Sequence, residues 1–252
     1  MAGDNTDSLW QNPLRSPTLS DNQIHIWRAY LNLSTAEVAQ LATFLSDDEI
    51  ARANKFYFPE HRRRFIVARS ILRQLLGDYL NTNPKNIKFD YSDRGKPQLS
   101  KLCNNSLQFN VSHSQEYALF GFAVDRLIGV DIEYLREMPD AIKIARRFFS
   151  PLEFQLIASL SDRQQQKVFF KLWTAKEAYL KALGTGLAGS LNSIEISFED
   201  DLLTKESKAI LDNWFVCSYI PAENYIAAVA IDNKITKQQI CFWNAPAKFT
   251  GR

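Results

Sequence analysis

The sequence of 252 residues lacks the cysteine patterns and the one-sided charge that mark several classes of protein. Its three cysteines, Cys103, Cys217 and Cys241, are widely separated and form no CxxC pair, which argues against a disulfide framework or a zinc site. Lysine and arginine number 30 against 28 aspartates and glutamates, and a net charge of only +2 argues against a nucleic-acid-binding protein. We therefore expect a protein of the reducing cytoplasm that binds no nucleic acid.

The first 22 residues also lack an apolar run. This segment is polar and contains Pro13 and Pro17, so it has the character of neither a secretory signal peptide nor a membrane anchor. We expect residues 1–22 to be a flexible leader and the protein to have no membrane partner. With 46% apolar residues, the chain can bury a substantial core as one large domain or two small ones.

Three common catalytic motifs are missing as well. The sequence contains no Gly-x-Ser-x-Gly elbow, no glycine-rich phosphate loop ending in Lys-Ser/Thr and no His-Glu-x-x-His. A covalent serine hydrolase, a P-loop kinase and a zinc protease are therefore unsupported. We expect the nucleophile of any transfer reaction to come from a partner.

What the chain does contain is a pair of carboxylates in the segment Gly129-Val130-Asp131-Ile132-Glu133. In an extended segment side chains alternate between faces, so Asp131 and Glu133 project on the same side. Two adjacent carboxylates repel each other unless a cation lies between them. Magnesium is usually held by one or two carboxylates, water and a substrate phosphate. This segment therefore predicts a magnesium site.

A helix from Asp162 to Leu183 supplies the third oxygen donor, Glu177. Asp162 is a suitable N-cap, and Gly184 is a typical helix-ending residue. Glu177 and Lys181 are four residues apart, so they lie on one side of this helix and can reach the same ligand. Taken alone, the two residues are better explained as a surface ion pair of the kind found on any helix.

Two further stretches offer groups that bind anions. Phe109-Asn110-Val111-Ser112-His113-Ser114 carries one of only three histidines, and Gly95-Lys96-Pro97 forms a turn whose ammonium can reach a ligand. Without further context, His113 is explained as a residue that caps a turn, and Lys96 as part of an ordinary loop.

The three stretches around His113, Asp131 and Glu177 resemble, in order and spacing, the motifs of the Sfp-type 4′-phosphopantetheinyl transferases, the broad-specificity Sfp/HetI-like group. The resemblance spans the chain from about Ile24 to Phe242. Supporting matches are Gly95-Lys96-Pro97, Lys55-Phe56-Tyr57, the segment Arg146 to Glu153, and Lys181-Ala182-Leu183-Gly184-Thr185-Gly186-Leu187.

The resemblance implies an α+β fold of two similar lobes in tandem, related by pseudo-two-fold symmetry, with the active site in the cleft between them. We place the N-terminal lobe at residues 23–125 and the C-terminal lobe, with the metal-binding residues, at 126–252. Apolar periodicity predicts the helices and strands of both lobes. The predicted helices are Thr35 to Leu45, Glu60 to Leu80, Ala141 to Phe148, Pro151 to Leu160 and Asp162 to Leu183; the predicted strands include Gln23 to Trp27, Leu107 to Val111, Tyr117 to Val124, Ile128 to Tyr134, Ile194 to Phe198, Trp214 to Ile220 and Tyr225 to Ile231.

The resemblance also implies the reaction. A serine of an acyl or peptidyl carrier protein attacks coenzyme A, takes the 4′-phosphopantetheine group and releases 3′,5′-ADP, with Mg²⁺ held by Asp131, Glu133 and Glu177. Glu177 is either a metal ligand, a general base, or both. The implied catalytic residues are Glu177, Lys181 and Asp131, and those implied to bind coenzyme A are Arg52, Arg64, Lys96, Ser112, His113, Lys176 and Lys181.

One departure from the family and two alternatives remain. Glu49 stands where the family tends to carry a lysine that contacts a phosphate. The same carboxylates would serve a magnesium-dependent hydrolase of a nucleotide diphosphate, and the chain could instead be a non-catalytic module that docks carrier proteins.

We expect a monomer. The sequence leaves open which carrier protein is used and whether fatty-acid, polyketide or nonribosomal peptide synthesis is served. The segment Ala141 to Phe149 is our candidate for docking an acidic carrier protein.

Overall fold

The computed structural model describes residues 9–13, 17–92, 95–100, 106–185, 191–198, 207–211, 213–232 and 237–246. These residues form helices and strands in alternating groups, as expected of an α+β protein. The helices are α1 Thr35–Ala42, α2 Asp47–Ala53, α3 Pro59–Tyr79, α4 Ala141–Phe148, α5 Pro151–Ala158 and α6 Asp162–Leu183. The strands are β1 Ile24–Tyr30, β2 Phe89–Tyr91, β3 Pro97–Leu99, β4 Leu107–Ser114, β5 Tyr117–Val124, β6 Ile128–Tyr134, β7 Ser197–Phe198, β8 Ser207–Leu211, β9 Trp214–Tyr219, β10 Tyr225–Asp232 and β11 Ile240–Asn244.

Two sheets organise the fold. The first has the strand order β11-β1-β5-β4, and the second has the order β6-β10-β9-β8-β7. One face of each sheet contributes to a shared apolar core, where Ile26 and Leu119 of the first sheet meet Val130 and Val229 of the second. The α+β character is therefore confirmed. The division into two similar lobes stays a prediction, and β11 of the second half pairs in parallel with β1 of the first.

The long helices cover the outer faces of the sheets. α3 packs its buried residues Val67, Leu72 and Leu76 into the core beneath the first sheet, and α6 lies against β6 and β10. Gly129 of β6 allows this close packing, because a Cβ atom there would lie 1.9 Å from the carbonyl oxygen of Ala178 on α6. The missing side chain thus brings the helix that carries Glu177 and Lys181 directly onto the strand that carries Asp131.

The edge strands β4 and β6 are joined by side chains. The Asn110 side-chain oxygen accepts a hydrogen bond from the backbone N–H of Val130 at 3.0 Å, and Ser114 Oγ accepts one from the N–H of Tyr134 at 3.1 Å. Polar side chains of β4 therefore satisfy backbone donors at the edge of β6 that would otherwise lack partners. These contacts place the strand that carries Ser112 and His113 next to the strand that carries Asp131 and Glu133.

Several predicted boundaries are confirmed and others are corrected. α4 and α6 match their predicted bounds, whereas α1 and α5 end at Ala42 and Ala158, before the predicted Leu45 and Leu160. α6 is capped by Ser161 rather than Asp162, because Ser161 and Gln164 form a capping box. The segment predicted as a strand from Ile194 forms a strand only at Ser197–Phe198.

Two residues of the segment predicted as a flexible leader, Trp10 and Gln11, contact the rest of the fold. Trp10 is 5% exposed and packs against the rings of Tyr219 and Phe242, and Gln11 forms a β-bridge with Trp243. A large indole ring that buries this much apolar surface stabilises its segment against the core.

Cys103, Gly186 and Leu187 lie outside the described residues. Within the described chain, no helix has both the length and the apolar character needed to span a membrane.

Candidate functional site

Three elements bring the predicted carboxylates together. β6 presents Asp131 and Glu133 on the face away from Val130 and Ile132, as the alternation predicted, and α6 lies over that face with Glu177 and Lys181. Lys181 Nζ lies 2.5 Å from Asp131 Oδ1. The predicted convergence of the β6 carboxylates with the α6 residues is therefore present in the structure.

Ser112 of β4 completes this arrangement. Its hydroxyl donates to Asp131 Oδ1 at 2.9 Å and accepts from Lys181 Nζ at 2.8 Å. The side chain is buried. Sequence reasoning implied that Ser112 contacts coenzyme A beside His113, but residues adjacent on a strand face opposite sides. The structure thus places Ser112 with the carboxylates and His113 on the other face of β4.

The carboxylates lie close enough to affect each other's protonation. The pKa of Glu177 is raised to about 7, first because the group is removed from solvent and then because of the negative charges of Asp131 and Glu133, while the Lys181 charge lowers it. The pKa of Glu133 is also raised, by burial and then by Asp131. A half-buried carboxyl group that titrates near neutrality can accept a proton at physiological pH.

The oxygen donors fit a hard divalent cation such as Mg²⁺. Both hydrogen bonds to Asp131 go to Oδ1, and its Oδ2 is buried without a hydrogen-bond partner. The contacts of Glu133 with Ser114 and Arg136 both go to Oε2. Among the described residues, no group of three or more acidic, histidine or cysteine side chains is already closed around one point suited to a metal. Binding one ion through all three carboxylates therefore requires at least one of these side chains to turn toward it.

A second group of side chains next to this site combines the cations Lys181 and Arg64 with the imidazole rings of His113 and His61. The pKa of His113 is lowered, first by removal from solvent and then by the positive charges of Lys181, Arg64 and His61. Sequence reasoning missed His61, although its position three residues before Arg64 on α3 places both on one side of that helix. His61 is exposed beside the other three side chains, so an anionic ligand can reach this group from solvent.

Arg64 and Arg52, both predicted to bind coenzyme A, contact other protein side chains in this structure. Arg64 Nη2 lies 2.6 Å from Glu116 Oε1 and donates to Gln115, so its charge is partly balanced. Arg52 is exposed at the end of α2, with its guanidinium over the ring of Phe65 at 5.4 Å. Arg64 lies three residues after His61 on α3, and the Arg52 guanidinium contacts the ring of the residue that follows Arg64.

Glu49 has a structural explanation. It is 1% exposed, accepts a hydrogen bond from Arg73 at 2.6 Å and closes the capping box of α2 with Ser46. Arg73 in turn donates to the carbonyl oxygens of Pro84 and Ile87. Since Glu49 points inward to a buried arginine, the substitution of an expected lysine does not place a negative charge at the ligand-facing surface.

Lys96 borders a cavity of about 390 Å³ between the β2–β3 hairpin and the end of α6. Its ammonium donates to the backbone carbonyl oxygen of Lys181. Burial, and then the charge of Lys181, lower the pKa of Lys96. The remaining walls come from β3, from the starts of β4 and β6, and from the end of α6; they include Gln98, Leu107, Phe109, Ile128 and Leu183.

Lys176 does not join the site, and this corrects the prediction that it adds positive charge to a bound ligand. Its side chain is fully buried, lies 2.6 Å from Glu153 Oε2 and donates to the carbonyl oxygens of Leu191 and Ile194. One residue along a helix is a rotation of about 100°, so Lys176 and Glu177 point in different directions. Lys176 therefore connects α6 to α5 and to the 191–196 segment.

Family models match both halves of the chain. The model of the 4′-phosphopantetheinyl transferase N-terminal region matches residues 31–123, and the model of the 4′-phosphopantetheinyl transferase superfamily matches residues 127–230. A structure search also finds a holo-(acyl-carrier-protein) synthase from Bacillus anthracis, solved in complex with CoA (3′,5′-ADP), which is 26% identical with a TM-score of 0.35 and covers 42% of this chain and 95% of that one.

Curated relatives agree with the family models. The 4′-phosphopantetheinyl transferase HetI of Nostoc sp. is 48% identical over 218 residues, which cover 85% of this chain and 90% of the relative. The 4′-phosphopantetheinyl transferase ffp of Bacillus subtilis is 32% identical over 169 residues, 67% of this chain and 73% of the relative. With matches in both halves and a relative of this similarity covered almost throughout, the chain belongs to the 4′-phosphopantetheinyl transferase family.

Proposed function

We propose that this protein transfers the 4′-phosphopantetheine group of coenzyme A to a serine of an acyl or peptidyl carrier protein, in a reaction that requires Mg²⁺ and releases 3′,5′-ADP. One observation carries the proposal within this family. Three carboxylates, Asp131, Glu133 and Glu177, face the cation Lys181, with Arg64 and the imidazole of His113 next to them. Such a pairing suits a substrate that carries a diphosphate and a further phosphate.

Asp131, through its unpartnered Oδ2, together with Glu133 and Glu177 would hold the magnesium ion. When bound, this ion supplies positive charge that neutralises the diphosphate. Lys181 holds Asp131 Oδ1, which directs Oδ2 away from the lysine. Its ammonium also adds positive charge where the leaving phosphate develops negative charge.

Glu177 is the best candidate for the general base. In the proposed step, the serine oxygen of the carrier protein bonds to the β-phosphorus of coenzyme A while the bond from that phosphorus to the bridging oxygen breaks. The serine proton passes to the Glu177 carboxylate, and the bridging oxygen leaves with 3′,5′-ADP. A pKa of about 7 suits Glu177 to take up this proton near neutral pH.

The nucleotide end of coenzyme A would be bound by the cationic side of the site. In this proposal His113 and Arg64 would contact its 3′-phosphate, which the proximity of His61 and Arg64 to His113 supports. Arg52 and Lys96 are further candidates for contacts with the nucleotide. Guanidinium groups bind phosphate through paired hydrogen bonds, which gives both affinity and orientation.

The carrier protein would dock on α4. This helix buries Ala141 and Ala145 and directs Lys143 to solvent, where it pairs with Asp140 at 2.7 Å. Arg146 and Arg147 in the last turn add further positive charge. A surface of this kind attracts an acidic helix at long range and fixes its orientation. The protein would act in the cytoplasm as a monomer.

Mass spectrometry of an apo carrier protein, incubated with the protein, coenzyme A and Mg²⁺, tests the proposal directly. We expect the carrier to gain one 4′-phosphopantetheine group and 3′,5′-ADP to appear in equal amount. Asp131→Ala is expected to abolish the gain while the variant stays folded and binds coenzyme A. Hydrolysis of coenzyme A without a carrier protein would support a diphosphate hydrolase instead, and binding of carrier protein without either reaction would support a docking module.

A further inference from the structure

Ser114 has a hydrogen-bond arrangement that fixes where its single proton points. The backbone N–H of Tyr134 donates to Ser114 Oγ at 3.1 Å, and Ser114 Oγ donates to Glu133 Oε2 at 3.1 Å. A carboxylate accepts hydrogen bonds and an N–H donates them, so only one direction of the hydroxyl proton satisfies both partners. The hydroxyl is therefore a fixed donor to one chosen oxygen of Glu133.

The same oxygen receives the other contact of Glu133. Arg136 Nη1 lies 3.7 Å from Oε2, while the described residues make no hydrogen bond or ion pair with Oε1. Asp131 shows the same division, since Ser112 and Lys181 both contact Oδ1 and leave Oδ2 without a partner. Two alternate serines of β4 thus each hold one oxygen of one β6 carboxylate.

We infer that Ser114 is a positioning residue for Glu133, which holds Oε2 from the β4 side so that Oε1 is presented to the divalent cation. This inference rests on the proposed function, because it assumes that the carboxylates bind that cation. Partners of this kind fix the rotation of a ligating carboxylate before the metal arrives. In this arrangement β4 contributes to both parts of the site: Ser114 contacts the metal-binding carboxylate Glu133, and His113 on the opposite face lies near Lys181 and Arg64.

Manganese binding provides the test. Mn²⁺ shares the preference of Mg²⁺ for oxygen ligands and is visible by electron paramagnetic resonance, which reports metal binding without turnover. With coenzyme A present, we expect Ser114→Ala to weaken Mn²⁺ binding about tenfold, the lower end of the range for losing an outer hydrogen-bond partner. Ser114→Thr, which keeps the hydroxyl on a residue suited to a strand, is expected to restore most of it.

Ser218 supplies a matched control. It lies on β9 in the same cross-strand row as Asp131, is fully buried, and its hydroxyl has no hydrogen-bond partner. Ser218→Ala should leave Mn²⁺ binding unchanged. Binding of coenzyme A measured without metal should be the same in both alanine variants and the unmodified protein. A merely structural role of Ser114 would instead lower thermal stability and coenzyme A affinity together.

Several outcomes would overturn the inference: Mn²⁺ binding by Ser114→Ala within twofold of the unmodified protein, an equal loss in the threonine variant, or no Mn²⁺ binding by the unmodified protein. The carrier-protein assay on the unmodified protein reports separately on the proposed function. Absence of transfer combined with weakened Mn²⁺ binding in Ser114→Ala would reject the proposed reaction and retain the positioning role.

Discussion

Lys181 Nζ and Asp131 Oδ1 are 2.5 Å apart, and this contact joins α6 to the edge strand β6. The lysine is 31% exposed and the aspartate 6% exposed, so the pair lies at the rim of the site rather than in the core. Lys181 is also the group whose charge lowers the pKa of Glu177. One side chain therefore influences both the aspartate and the proposed base.

We predict that Lys181→Met shifts the pH dependence of transfer. Without the positive charge, the pKa of Glu177 in the free enzyme rises further above its ordinary value, so the acid limb of the kcat/KM profile should move to higher pH. At pH 7 we expect kcat to fall on the order of 100-fold, the scale of losing one electrostatic stabiliser. Steady-state kinetics from pH 6 to 9 measures both effects, and Lys85→Met, on an exposed turn, is the control. An unshifted acid limb would show that Glu177 is not the group that accepts the serine proton.

The cationic side of the site gives the second prediction. His113→Ala and Arg64→Ala should raise the KM for coenzyme A more than the KM for 3′-dephospho-coenzyme A, because only coenzyme A carries the phosphate that they are proposed to contact. Each lost charged contact should cost about 1.5 to 3 kcal/mol. Arg62→Ala removes an exposed arginine from the same helix and serves as the control. Equal effects on both substrates would show that neither residue recognises the 3′-phosphate.

The third prediction concerns Lys176, which sequence reasoning placed in the site. Lys176→Met leaves the Glu153 carboxylate buried without its cation, and we expect the free energy of unfolding to fall by about 3 to 5 kcal/mol. Adding Glu153→Gln removes the unpaired charge while keeping an acceptor for the N–H of Ile196, and should recover part of that loss. Urea denaturation measures both variants. A loss below about 1 kcal/mol in the single variant would show that the buried pair contributes little to stability.

The local parts of the site could be predicted from the sequence. Alternation along β6 and the four-residue spacing on α6 depend only on backbone geometry, and they placed Asp131, Glu133, Glu177 and Lys181 correctly on their elements. The errors came from contacts between distant segments. Nothing local to Lys176 indicates that Glu153, 23 positions earlier, faces it in the core.

The partners of β11 and of Glu49 also could not be predicted from the sequence near them. The register of β11 beside β1 joins residues more than 200 positions apart, and no pattern within either strand specifies that partner. Glu49 was interpreted by its place in a motif, whereas its burial depends on Arg73 of α3. The sequence therefore predicts which face a side chain occupies more reliably than which distant group it meets.

Carrier-protein docking gives the fourth prediction. The side chain of Lys143 is 82% exposed on α4, so Lys143→Glu reverses a charge without disturbing the core. We expect slower association with an acidic carrier protein and a flatter dependence on ionic strength, because long-range attraction is reduced. Stopped-flow binding at several salt concentrations measures the rate, and coenzyme A affinity should not change. Unaltered association and salt response would place the docking surface elsewhere.

The last prediction concerns a histidine in the core of the first sheet. His25 is 1% exposed, and its Nδ1 lies 2.7 Å from the hydroxyl of Tyr79. The same hydroxyl accepts a hydrogen bond from Trp27 Nε1, so the tyrosine joins the two side chains in the core. Burial lowers the pKa of His25 from 6.5 to about 4. The folded protein therefore holds this ring neutral at a pH where the unfolded chain protonates it.

The sign of the pH effect follows from that difference. Between pH 6.5 and about 4 the unfolded chain binds one more proton than the folded protein, so the free energy of unfolding should fall as the pH is lowered through this window. The shift corresponds to about 3 kcal/mol in total. His25→Gln keeps a hydrogen-bonding group for Tyr79 but does not titrate, so urea denaturation between pH 7 and 4.5 should show a shallower slope than the unmodified protein. His61→Gln, at an exposed position, should retain the original slope. If the slope of His25→Gln equals that of the unmodified protein, other groups account for the acid sensitivity and His25 does not.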